Sequence, residues 1–399
     1  MNRLKKFAKE LISQGYRILF NLNTKRQIDE QVIIFESFNG KVPGDNPLAI
    51  YQKLLDQPAG DFKIFWSIKP QFVEETRRQF PEISIVTRFS LQWLKLLPRA
   101  KFWIFNSRMP VWLKKNKNTT YIQTWHGTPL KKLALDIEEV HIPGNDTKKY
   151  QQEFSEEAAR WDYLIAPNQY SEDIFKRAFQ FKNACLEIGY PRNDVLYTEN
   201  NTESILRLKE KILGRTSGKV ILYAPTWRDD YFVSQGVYKF HMPFSLKNIL
   251  DQMNPNDVFI IRPHYLVRDS IDIQGYEDRV KILVDEDISN LYLISDLLIT
   301  DYSSVMFDYA NLKRPMLFYP YDFEHYKDNL RGFYFEYNEV PGPIALTEEE
   351  LLEYLKEFYV ETYYEAFSIK YKQFSDRFCA WENGKAAERI VTLIKSDKV

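Results

Sequence analysis

Leu297-Leu298-Ile299-Thr300-Asp301-Tyr302-Ser303-Ser304-Val305-Met306-Phe307-Asp308-Tyr309-Ala310 holds the unit from which the whole chain is built. An apolar run of strand length ends in a polar turn, and the turn opens into a helix-like run. A strand whose polar residues come only after its carboxyl end is buried on both faces, as in a parallel sheet. Ser303 and Ser304 then fall where helix N–H groups point outward, a position suited to phosphate.

The same design recurs along the chain. Val32-Ile33-Ile34-Phe35, Phe62-Lys63-Ile64-Phe65-Trp66, Ser84-Ile85-Val86, Phe102-Trp103-Ile104-Phe105, Tyr121-Ile122-Gln123-Thr124 and Tyr163-Leu164-Ile165-Ala166 read as short buried strands. Pro47 to Leu55, Val73 to Phe80 and a segment opening at Ser171 read as helices between them. After the polar, charge-rich stretch from Glu199 to Ser217 a second series begins. It runs through Val220–Ala224, Val258–Ile261, Val280–Leu283, Leu297–Ile299 and Met316–Tyr319. Glu348 to Tyr364 and the segment around Trp381 to Ile394 are predicted helices. The pattern predicts an α/β protein of two Rossmann-like, doubly wound domains, with ligands at the carboxyl ends of the strands and a cleft between two facing sheets. Residues 27–205 are expected to form the first domain, 206–375 the second, and 376–399 a C-terminal helix.

At 399 residues the chain exceeds what one core usually holds, which agrees with two domains. Cys185 and Cys379 are the only cysteines. They have no metal-type spacing and fit a reducing compartment. The formal net charge is −1, and no basic stripe with stacking aromatics stands out, so nucleic acid is not an expected partner. The charge is uneven, however: residues 1–26 carry seven basic side chains against Glu10 alone. Leu4, Phe7, Ala8, Leu11 and Ile12 share one helical face there, so this segment reads as a basic amphipathic helix for a membrane surface. Packing against its own domain is an equal reading. No stretch is long and apolar enough to span a bilayer, and no secretion signal is recognisable.

Four polar clusters directly follow strand-like runs: Trp125-His126-Gly127-Thr128-Pro129, Pro225-Thr226-Trp227-Arg228-Asp229, Arg262-Pro263-His264, and Thr300 to Ser304. His126 stands in a Gly/Pro turn, where an imidazole is aimed outward, and is the candidate general base. Arg262 and His264 alternate about Pro263 and can both face an anion. Arg228 can do the same, although a surface ion pair with Asp229 or Asp230 accounts for it equally. Asp301 suits a ribose contact, the orientation of a partner, or simple helix capping. The loop around Phe38 to Pro47, including Asn46, either closes over a phosphate or acceptor or is a tight turn. Neither Gly-x-Gly-x-x-Gly nor a Walker-type loop occurs, no Gly-x-Ser-x-Gly elbow occurs, and the histidines show no metal spacing.

Taken together, several blocks resemble the CDP-glycerol glycerophosphotransferase family of teichoic acid synthesis, which includes primases and polymerases. They are Glu36-Ser37-Phe38 with Asp45-Asn46-Pro47, Gln123 to Lys131, Gly189-Tyr190-Pro191-Arg192-Asn193-Asp194, Tyr223 to Arg228, Arg262-Pro263-His264, and Ser295-Asp296 through Ser304 with Phe307-Asp308. They run in order from about residue 32 to 325. The resemblance implies a GT-B-like enzyme whose N-terminal domain receives a prenyl-diphosphate-linked saccharide acceptor and whose C-terminal domain holds a CDP-alditol donor. It implies His126 as general base and His264, Ser303 and Ser304 at the donor diphosphate. Arg228, Arg262 and Asp301 are expected to assist them, and Asn46, Trp125, Gly127 and Thr128 to serve acceptor or loop contacts. CDP-glycerol is the expected donor substrate, with no further cofactor and no metal. Peripheral attachment at the cytoplasmic face of the membrane is implied as well. The competing readings are a CDP-ribitol transferase, a nucleotide-sugar glycosyltransferase or epimerase, and a catalytically silent membrane-bound module.

Overall fold

A computed structural model describes residues 2–57, 62–139, 146–226, 232–234, 237–238, 242–263, 271–323, 332–359 and 362–396. It divides into two compact units. The first comprises residues 1–127, 133–194 and 381–399, and the second comprises 128–132 and 195–380.

The first unit is built on a seven-stranded sheet. Its strands are β1 (Asp29–Glu36), β2 (Lys63–Ile68), β3 (Ile85–Thr87), β4 (Ala100–Phe105), β5 (Thr120–Gln123), β6 (Tyr163–Ala166) and β7 (Ala184–Glu187). All pairings are parallel, in the order β3-β2-β1-β4-β5-β6-β7. Helices cover both faces of a parallel sheet, so its central strands carry apolar side chains on both sides. Accordingly Ile33, Ile34, Phe35, Phe102, Trp103 and Ile104 are all fully buried. The edge strand β7 escapes the apolar-run criterion because Ala184 and Glu187 are exposed.

The chain winds outward from β1 to β3, then returns to place β4 on the other side of β1. This reversal splays the loops after β1 and β4 apart, and ligand sites in doubly wound sheets open there. Helix α1 (Asn2–Asn23) packs through its second half. Phe20 is buried, the Tyr16 hydroxyl donates to the Ser90 carbonyl, and Asn21 and Asn23 reach the carbonyls of Trp112 and Leu94. Phe7, Leu11, Ile12, Ile18, Leu19 and Leu22 stay more than half exposed. Helix α2 (Asp45–Leu55) shares its buried face with the C-terminal helix Ala386–Ser396, whose Ile390, Val391 and Ile394 join Ile50, Tyr51 and Leu54 in one core.

The second unit carries a five-stranded parallel sheet of β8 (Val220–Ala224), β11 (Val258–Ile261), β12 (Val280–Ile282), β13 (Leu297–Thr300) and β14 (Met316–Phe318), in the order β12-β11-β8-β13-β14. A short antiparallel pair, β9 (Phe232–Ser234) and β10 (Val237–Tyr238), lies between β8 and β11 in the chain. Reversal occurs here between β8 and β13, so the turns after these two strands meet at the switch point. The charge-rich stretch after Glu199 is largely helix, Thr202–Leu213, opened by the Asn201 side chain accepting from the Ser204 N–H and closed by left-handed Gly214. The helix predicted from Glu348 to Tyr364 runs over Glu348–Tyr359, and a separate helix covers Tyr363–Phe378. Among the described residues no helix is long and apolar enough to cross a membrane.

Candidate active site

In the first unit, the loops after β1, β4 and β5 converge on His126. The β1 loop is tightly wound: Phe38, Asn39, Gly40 and Asp45 all have left-handed backbone, with φ of 49°, 57°, 75° and 59°. Gly40 is required there, since a Cβ would stand 3.1 Å from the Ser67 carbonyl oxygen and 3.3 Å from the Lys69 nitrogen. The loop closes with the Ser37 hydroxyl donating to the Gly44 carbonyl.

The β5 turn is strained. Trp125 has φ 52°, a conformation that a bulky residue holds only when its surroundings enforce it. Three side chains do so: Gln123 accepts from the Trp125 N–H at 3.0 Å, while Asn46 and Thr124 donate to its carbonyl at 3.2 and 3.0 Å. The indole is buried against Phe154, Phe175 and Phe179. His126 stacks on it, with ring centroids 4.5 Å apart and planes 26° from parallel. Trp125 and the fully buried Asn46 therefore shape the turn from beneath and offer no open surface to a ligand. Gly127 and Thr128 are buried as well.

His126 is exposed as a residue, with its ring packed on the Trp125 indole and partly buried at the Asn106 contact. Its Nδ1 lies 2.7 Å from the backbone carbonyl oxygen of Asn106 at the end of β4. A carbonyl can only accept, so Nδ1 carries the hydrogen and the lone pair sits on Nε2. The ring is set in a crowded recess, and desolvation there lowers its pKa from the ordinary value of 6.5; Asp45 and the Asn106 bond oppose this and Arg192 reinforces it. The result at neutral pH is an uncharged imidazole with its basic nitrogen available. That is the state a general base requires.

Asp45, Asn106 and Arg192 surround this ring, and none stands out from sequence as chemistry. Asn106 Nδ2 donates to Asp45 at 2.6 Å; Arg192 donates to Asp45 at 2.7 Å and to the His126 carbonyl at 2.9 Å. The only sequence sign of Arg192 and Asp45 is their place in the blocks quoted above, and Asn106 has none.

In the second unit, Asp301 is buried and its carboxylate accepts from the Thr226 N–H at 2.7 Å, tying the turns after β8 and β13 together. Its carbonyl accepts from the Tyr337 hydroxyl. Asp301 therefore holds the switch point together. Ser303 and Ser304 beside it are partly exposed, and the Ser303 hydroxyl accepts from the Val305 N–H at 3.4 Å. The Arg262 guanidinium donates to the Leu283 carbonyl at 3.0 Å. Burial weighs against its charge, and Tyr292 and the acids Asp287, Asp285 and Glu286 support it. Arg228 and His264 lie outside the described residues. So do His141, His241 and His325, which leaves His126 as the one histidine among the described residues.

The chain matches, over residues 18–396, the family described as CDP-Glycerol:Poly(glycerophosphate) glycerophosphotransferase. It is 45% identical, across 99% of its length, to a teichoic acid poly(glycerol phosphate) polymerase of Bacillus subtilis (strain 168), of which it spans 52%. A teichoic acid glycerol-phosphate transferase of Staphylococcus aureus is 44% identical over 98% of this chain and 99% of that protein. Among solved structures, the wall teichoic acid polymerase TagF superposes with a TM-score of 0.88 at 39% identity, covering 100% of this chain and 97% of that one. A TagF variant soaked with CDPG superposes with a TM-score of 0.89 at 40% identity, over the same shares. Two parallel-sheet α/β units and this match make the fold GT-B-like.

Proposed function

We propose that this chain, which belongs to the CDP-glycerol:poly(glycerophosphate) glycerophosphotransferase family, transfers glycerol phosphate from CDP-glycerol to a hydroxyl of a prenyl-diphosphate-linked acceptor in teichoic acid synthesis. His126 Nε2 takes the proton of the acceptor hydroxyl, whose oxygen attacks the β-phosphorus of the donor. The bond from that phosphorus to the bridging oxygen breaks, and CMP leaves. The observation that carries this reading is the 2.7 Å contact of His126 Nδ1 with a carbonyl, which leaves the lone pair on Nε2, the nitrogen that a base would use. The donor diphosphate is assigned to Ser303 and Ser304, with His264, Arg228 and Arg262 contributing positive charge. In this reading positioning and charge on the phosphoryl oxygens do most of the catalytic work, and no cofactor is required.

The donor panel is the direct test. CMP should appear with CDP-glycerol and much more slowly with CDP-ribitol, and UDP- or GDP-sugars should release no nucleotide. Faster turnover of CDP-ribitol would move the assignment to a ribitol-phosphate transferase.

The membrane reading rests on α1, where exposed Phe7, Leu11 and Ile12 lie in a segment rich in basic residues. On an anionic inner leaflet each basic residue near the surface contributes about 1 kcal/mol, added to apolar insertion. Leu11→Glu with Ile12→Glu should abolish sedimentation with anionic vesicles and leave turnover of a water-soluble acceptor unchanged. Undiminished vesicle binding would remove α1 as the anchor.

A further inference from the structure

His126 is held from two directions by groups that converge on Asp45. The carbonyl that receives its Nδ1–H belongs to Asn106, and the side-chain amide of Asn106 is pinned at both ends: Nδ2 donates to Asp45 Oδ2 at 2.6 Å, and Oδ1 accepts from the Phe38 N–H at 2.8 Å. On the other side, one nitrogen of Arg192 donates both to Asp45 Oδ1 at 2.7 Å and to the backbone carbonyl of His126 at 2.9 Å. The Arg192 N–H reaches Asn46, the residue whose amide holds the Trp125 carbonyl. The Arg192 and Asp45 side chains are 15% and 4% exposed, so their attraction is little screened by solvent. Their separation in the chain, 147 residues, means that no local element brings them together.

We infer that Asp45 and Arg192, acting through Asn106 and through the His126 peptide, are positioning residues that set both the direction and the basicity of the His126 imidazole. They work as opposed charges on one ring. Asp45 favours the imidazolium that forms as the proton is taken, whereas Arg192 favours the neutral ring that must be present beforehand. Of the titratable groups whose charge acts on this ring, these two pull in opposite senses.

The inference rests on the assignment of His126 as base only for its catalytic consequence, and the test separates the two. The full-length protein carrying 15N-labelled histidine is titrated by NMR, with the His126 signal identified by its absence in His126→Ala. In the wild-type protein the 15N shifts should report the Nδ1–H tautomer. Asp45→Asn should lower the His126 pKa, and Asn is tolerated at the left-handed φ of 59°. Arg192→Gln should raise it. In both variants kcat should fall by about 10–100-fold, taken by analogy with the loss of groups that orient metal-bound imidazoles, with the KM for CDP-glycerol preserved. Arg192→Lys, which keeps the charge but changes the reach and direction of the donor, should restore the pKa more fully than the rate. Shifts in the same direction in Asp45→Asn and Arg192→Gln, or no shift in either, would overturn the relay. If Asp45→Asn melts early, the upward shift in Arg192→Gln decides alone. Signed shifts with a fully active His126→Ala would retain the relay and reject the base, while an inactive His126→Ala without shifts would do the reverse.

Discussion

His126→Ala is expected to lower kcat by about 10²–10⁴-fold, the usual contribution of a single general base, with CDP-glycerol affinity unchanged. The split follows from the assignment of the donor diphosphate to the second unit and of the acceptor proton to His126. Equilibrium binding of CDP-glycerol and single-turnover release of CMP check the two halves separately. Equal losses of affinity and rate would mean that the imidazole contacts the donor instead. The wild-type pH profile provides a second check on the same nitrogen. A base works only while unprotonated, so the rate falls on the acid side as Nε2 takes a proton. Because desolvation lowers the His126 pKa from 6.5, that limb should have its midpoint below pH 6.5. It should disappear in His126→Ala.

Removal of residues 381–399 is expected to unfold the first unit. The C-terminal helix contributes Ile390, Val391 and Ile394 to the core, at 1%, 0% and 0% exposure. Each aliphatic cut back to alanine in such a place costs about 2–5 kcal/mol, and a whole domain is stable by only about 5–15 kcal/mol. Polar ties add to this. Asp194 accepts from the N–H groups of Ala386 and Ala387 at 2.9 and 2.8 Å, and Glu382 accepts from the Tyr190 N–H and from Asn193 at 3.0 Å. The truncated chain would leave Asp194 and the apolar face of α2 uncovered, so it should be recovered as aggregate or without a cooperative melt. Ile390→Ala in the full-length chain should destabilise the unit by the single-residue amount above. Because α2 begins at Asp45 and Asn46, loosening it should lower turnover as well. A truncated protein that melts like the wild type would refute this account of the first unit.

How much of this was legible in advance depended on the range of the interactions involved. Runs such as Val32–Phe35 and Val258–Ile261 announce buried parallel strands because burial on both faces leaves no room for polar residues. β7 was missed because an edge strand needs no such purity; Ala184-Cys185-Leu186-Glu187 looks like any loop. The place of His126 in a turn after β5 was legible, because the α/β architecture told where that turn would lie. Its supports were not. Asn106 acts through a backbone carbonyl, which carries no sequence signal, and Arg192 meets Asp45 only after the chain has folded. Asp301 was open to several readings on sequence, and the structure resolves its carboxylate as a clamp on the Thr226 N–H. The return of the C-terminal helix to the first unit likewise follows from surface complementarity with α2, which no local pattern encodes.

Transfer of glycerol phosphate fixes the stoichiometry of a single reaction. Purified protein incubated with CDP-glycerol and a prenyl-diphosphate disaccharide should form one CMP for each glycerol phosphate added to the acceptor, read by the product's mass, and His126→Ala should form neither at a comparable rate. CMP release without a gain in acceptor mass, or an acceptor extended equally fast by His126→Ala, would contradict it.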